Sequence, residues 1–125
     1  MTGRSSKAKG AGAEVAVVNY LRANGFPYAE RRRAGASADT GDIVGVSPGL
    51  VLEVKNHARL AVPEWLKQLD EERAVFDPPA WAGTLVVKPR GVTNVGDWWA
   101  ISRFKHWLDL IDLVEGRNPD GRRLA

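Results

Sequence analysis

The sequence predicts an α/β domain in which helices flank a central mixed β-sheet. Three observations point there. Two short apolar runs, 43–46 and 50–55, are joined by Ser-Pro-Gly, the chemistry of a tight turn. Pro63 then opens a helical pattern over 64–76, with Trp65, Leu66, Leu69 and Phe76 on its apolar side, and Asp77, Pro78 and Pro79 stop it. A strongly apolar run, 84–87, follows, and the order strand, helix, strand predicts a crossover between parallel neighbours.

The remaining elements frame this unit. Residues 1–9 are small, polar and basic and read as a mobile arm, and 116–125 read as a frayed tail. An Ala-rich run over 10–24 predicts a helix with Ala11, Val15, Val18 and Leu21 at helical spacing and Gly25 as its cap. Glu14 shares the stripe of Val18 and Leu21, so an acid points toward whatever that helix packs on. Residues 26–33 form a short strand and 34–42 a small-residue loop. Toward the end, 97–101 form a strand with Ser102 capping a helix over 103–114, or one helix starts near Asp97.

At 125 residues the chain suits one domain, 10–115, with a single core. Apolar residues at 44% and charged residues at 26% argue against wholesale disorder. The absence of Cys excludes disulfides, thiolate metal sites and cysteine nucleophiles. No apolar stretch approaches membrane-spanning length and the start has no export-type hydrophobic segment, so a soluble, cytoplasmic or nucleoid-associated protein is expected, or one in the host's interior if viral. Residues 1–33 hold seven Lys/Arg against two Glu, a net +5, while the rest hold 11 against 13, a net −2. A basic front beside an acidic remainder suits a phosphate-binding surface next to carboxylates.

Strand alternation puts Glu53 and Lys55 on one side and Leu52 and Val54 on the other, and Asp42 begins the partner run. Two carboxylates and the Val54 backbone carbonyl are hard oxygen donors suited to Mg²⁺ or Mn²⁺, with Lys55 available to an attacking water. An exposed Glu–Lys surface pair explains the same local pattern without function.

The wider arrangement decides which reading to pursue. Asp42, then Glu53-Val54-Lys55, matches the acid, hairpin, acid-any-lysine signature and resembles the PD-(D/E)XK nuclease superfamily. Lys9-Gly10, Glu14 on the first helix, Gly25-Phe26, an arginine-bearing strand, a loop with Ser37, Gly41-Asp42-Ile43, Gln68 and the strand ending at Lys88 extend the likeness over residues 7–90. Within the superfamily this is similar to archaeal-type Holliday junction resolvases. Gly41 stands where the signature has Pro, and Asp39 competes with Asp42 for the first acidic position.

The resemblance implies a restriction-endonuclease-like fold and a Mg²⁺-dependent DNA endonuclease cutting four-way junctions by paired incisions from a homodimer. It implies Asp42, Glu53, Val54 and Glu14 as metal ligands, Lys55 and Gln68 at the reacting water or phosphate, and Ser37 as a catalytic or phosphate contact. Lys7, Lys9, Arg31, Arg32, Arg33, Lys88 and Arg90 would hold DNA. A repair, restriction or nicking nuclease acting on flaps or ordinary duplex, and a noncatalytic DNA-binding relative, share these features. Trp65 reads as core, whereas Trp81, Trp98, Trp99 and Trp107 are available to a dimer interface. His57 reads as a loop residue and His106 as structural or surface.

Overall fold

The computed structural model describes residues 3–32, 42–76 and 78–117, with the side chains of all these except 3–9 and 42. Ser37, Arg33, Asp39 and Gly41, together with the side chains of Lys7 and Lys9, therefore lie outside the described residues.

The fold is α/β, a five-stranded mixed sheet flanked by three helices. In chain order it runs α1 (Gly3–Ala23), β1 (Glu30–Arg31), β2 (Asp42–Val44), β3 (Leu50–Lys55), α2 (Val62–Val75), β4 (Ala82–Val87), β5 (Trp99–Ile101) and α3 (Phe104–Val114). The strands lie side by side in sequence order. β3 and β4 are parallel, as the intervening α2 predicts, and every other neighbouring pair is antiparallel.

Several elements differ from the sequence reading. α1 starts at Gly3, inside the stretch read as an arm, where no Pro interrupts the small and basic residues. Its inward face is Ala13, Val17 and Val18, while Val15 turns outward. Gly25, at φ +100°, closes it, and the Phe26 N–H donates to the Leu21 carbonyl at 2.9 Å. The strand expected over 26–33 contracts to two residues. Ser102 does not cap α3, because its hydroxyl lies 2.7 Å from that of Thr84 and Arg103 occupies the cap position.

The sheet has two differently used faces. On one, Ala13, Val17 and Val18 of α1 pack on Ile43, Leu52 and Val54. On the other, Trp65 and Leu69 of α2 pack on Val51, Leu85 and Val87. Each fully buried large side chain contributes about 1.5–3 kcal/mol of apolar burial, so both layers hold the sheet. The β2–β3 turn depends on Gly45 at φ +88°, where a Cβ would overlap the Tyr28 carbonyl. No helix among the described residues is long and apolar enough to cross a membrane.

Candidate active site

Glu53 is 4% exposed in the middle of the sheet. Strand alternation sets it and Lys55 on the α2 face, beside Val51. Their charged ends lie 3.5 Å apart, and the Lys55 Nζ also donates to Gln68 Oε1 at 3.2 Å. The Lys55 side chain is only 13% exposed, with Nζ 5.7 Å from the Trp65 ring. Gln68 follows Trp65 by three positions, so one helical turn supplies both the apolar wall and the amide that restrains the lysine.

The antiparallel register makes Asp42 the cross-strand partner of Glu53 and Ile43 that of Leu52. Cross-strand partners belong to one face, so Asp42 sits on the Glu53 side of the sheet. The Lys55 carbonyl accepts the Lys88 N–H at 2.9 Å, toward β4. Carbonyls alternate along a strand, which turns that of Val54 the other way, toward the β2 side. Asp42 and Glu53 thus hold opposed register positions, with the Val54 carbonyl turned toward the strand that carries Asp42.

No match to a protein-family model, a curated protein or a solved structure was found. The chemistry rests on these residues alone.

Glu14 stands apart from the group. Its Oε1 accepts from Arg31 Nε at 2.9 Å, and α1 covers the Ile43, Leu52 and Val54 face, opposite Glu53. The inward acid of α1 thus finds a cation on β1, whose Arg31 pairs with Ile43, the residue after Asp42. Among the described residues no three His, Cys, Asp or Glu side chains gather as metal ligands. The Asp42 side chain lies outside them, and its backbone holds the register position opposite Glu53.

The arginines divide as alternation requires. Arg31 faces α1, and Arg32 lies 4.4 Å over the Phe76 ring at the end of α2. Gln68, Glu72 and Phe76 recur every four residues on α2, so half-buried Glu72 stands one turn from both the lysine's partner and the arginine's ring. Sequence reasoning passed over Glu72 inside the charged run Asp-Glu-Glu-Arg; its spacing from Gln68 was the available signal. Lys88 lies 5.9 Å from the Trp98 ring, Arg90 is exposed, and His57 packs its ring 5.3 Å from that of Trp65.

A second polar group joins α2 to α3. Asp70 accepts from Arg73 at 2.9 Å and from Arg103 at 2.8 Å. Burial pushes its carboxyl upward, but the hydrogen bonds and charges of Arg103 and Arg73 outweigh this and hold it below the ordinary carboxylate range. His106 is buried nearby, and burial followed by the Arg73 charge lowers its pKa below the ordinary imidazole value. An apolar groove of about 800 Å³, lined in part by Tyr28, Phe76 and Trp81, lies beside Leu50 at the opposite end of β3 from Lys55.

Proposed function

We propose that this protein is a metal-dependent DNA endonuclease of the PD-(D/E)XK kind, acting on four-way junctions as a homodimer. The observation that carries the proposal is the pairing of Asp42 with buried Glu53 across an antiparallel ladder, with Lys55 two residues on and restrained by Gln68. A buried acid beside a nearly buried lysine is costly to maintain for a merely structural purpose.

Asp42, Glu53 and the Val54 carbonyl would hold Mg²⁺ or Mn²⁺, which when bound lowers the pKa of a water and stabilises charge at phosphorus. Lys55 donates toward the attacking oxygen and offsets the negative charge that accumulates there. Gln68 orients Lys55. Glu14 ties α1 to β1 through Arg31, which steadies the strand beside Asp42. Arg31 of β1, Arg32 just after it, and Lys88 and Arg90 after β4 engage DNA phosphates in a salt-sensitive way.

Cleavage of a synthetic four-way junction beside a linear duplex, each with and without Mg²⁺, tests the reading. Cutting of the junction that requires metal and is lost in Asp42→Asn and Glu53→Gln is expected. Equal cutting of both substrates would move the function to a general or repair nuclease. Binding without metal-dependent cutting would make the chain a noncatalytic relative.

A further inference from the structure

α3 is fastened differently from the other helices. Phe104 is 71%, Trp107 50% and Val114 81% exposed, and no residue of α3 belongs to either described core layer. The side chain that α3 does bury is polar. His106 is 3% exposed, and its Nδ1 is shut away from water without a hydrogen-bond partner. Polar contacts also hold the start of the helix: Arg103 donates to Asp70 at 2.8 Å, and the Ser102 hydroxyl lies 2.7 Å from that of Thr84.

A neutral imidazole is tolerated in such a place, whereas an imidazolium is not. Protonation makes the Nδ1–H a charged donor with no acceptor, which costs more than an unsatisfied neutral atom. The surrounding charges add to that cost. Asp70 is the acid that α2 brings near His106, but its Oδ1 is taken by Arg73 and its Oδ2 by Arg103. A protonated His106 is therefore a third cation beside one carboxylate. On α3 itself Lys105 opposes the charge and Asp109 favours it, while β4 and β5 carry no ionisable residue. The ring also stands in the first turn of α3, where the free N–H groups of the helix present partial positive charge.

We propose that α3 is a proton-released latch: when His106 takes up a proton, α3 leaves β4 and α2 while α1, α2 and the sheet keep their packing. Release lets water solvate the imidazolium and leaves Asp70 its pair with Arg73 on α2. The rest of the fold survives because its two apolar layers are built from α1, α2 and the strands. In a released α3 the imidazole has its ordinary pKa of about 6.5, and in the docked helix a lower one, through burial first and the Arg73 charge second. Docking is thus complete above pH of about 6.5 and weakens as pH falls from there toward the docked value. Across that window the ratio of released to docked α3 rises about tenfold per pH unit. The latch rests on the packing of α3 and not on the nuclease reading.

Hydrogen exchange of the full chain, without DNA or metal, tests this when each amide rate is normalised to its intrinsic value at each pH from about 7.5 to about 5. Protection of the α3 amides should fall about tenfold per pH unit once His106 begins to titrate. Protection in α1, α2 and the central strands should stay constant. His106→Gln, which takes up no proton, should hold α3 protection level over the same range. Constant α3 protection in the parent, an equal loss in α1 and α2, or the same decline in His106→Gln would each overturn the proposal. The parent measurement decides by itself if the variant does not fold. Cleavage plays no part in these readings, so failure here is separate from failure of the metal-dependent assay.

Discussion

Replacing both charged residues of the site, Glu53→Met with Lys55→Met, should make the protein more stable while abolishing cleavage. At 3.5 Å and an effective dielectric constant of about 20, the Glu53–Lys55 attraction is roughly 5 kcal/mol. Against it stands the desolvation of both ions, several kcal/mol each, because the side chains retain only 6% and 13% of their exposure. Methionines of similar length remove both terms and pack against Val51, Trp65 and Leu69. Such exchanges raise stability by about 1–4 kcal/mol in favourable cases. Lys55→Met alone removes the cation, keeps a carboxylate in the sheet interior and should cost about 3–5 kcal/mol. Urea unfolding at neutral pH without metal measures all three proteins, provided their m-values agree. If the double variant were less stable than the parent by more than about 1 kcal/mol, the pair would be structural. Its charges would then need no catalytic explanation.

Three other perturbations probe the scaffold. Gly45→Ala should cost at least about 2 kcal/mol, since it forces a side chain into left-handed backbone and against the Tyr28 carbonyl; a thermal midpoint unchanged from wild type would refute the turn geometry. Leu69→Ala should lose about 2–5 kcal/mol in denaturant titration, because Leu69 is 2% exposed and fills the space over Gly83. The lowered pKa of His106 means that its contribution to stability is complete above the unfolded value near 6.5 and fades as pH falls toward the folded value. His106→Gln should flatten that decline in unfolding free energy, and an identical pH profile in both proteins would show that another group is responsible.

The central unit was legible because each part carries its own local chemistry. Ser-Pro-Gly fixes the hairpin, Pro63 starts α2, and the uninterrupted apolar run of β4 has to be interior. Strand alternation also separated Glu53 and Lys55 from Leu52 and Val54 before any packing was known. What escaped was mostly long-range pairing. The helical stripe showed that Glu14 points inward, but no local rule says that Arg31, 17 positions later, meets it. Ser102 looked like a cap because Ser often is one, yet Thr84, 18 residues earlier, claims its hydroxyl. Glu72 was hidden by composition, and becomes distinct only when Lys55 and Arg32 mark the two ends of its stripe. In α1, Val15 and Val17 are equally apolar, and only the position of the sheet decides which turns inward.

The brevity of the outer strands limits how this molecule can meet another. β1 offers two residues of free ladder, both charged, and β5 offers three. A neighbouring chain gains too few backbone hydrogen bonds at either border to extend the described sheet, so growth by strand addition is blocked. Any partner of the described sheet would therefore have to engage side chains, whose packing a single substitution can strengthen or undo without disturbing the strands that carry Asp42 and Glu53.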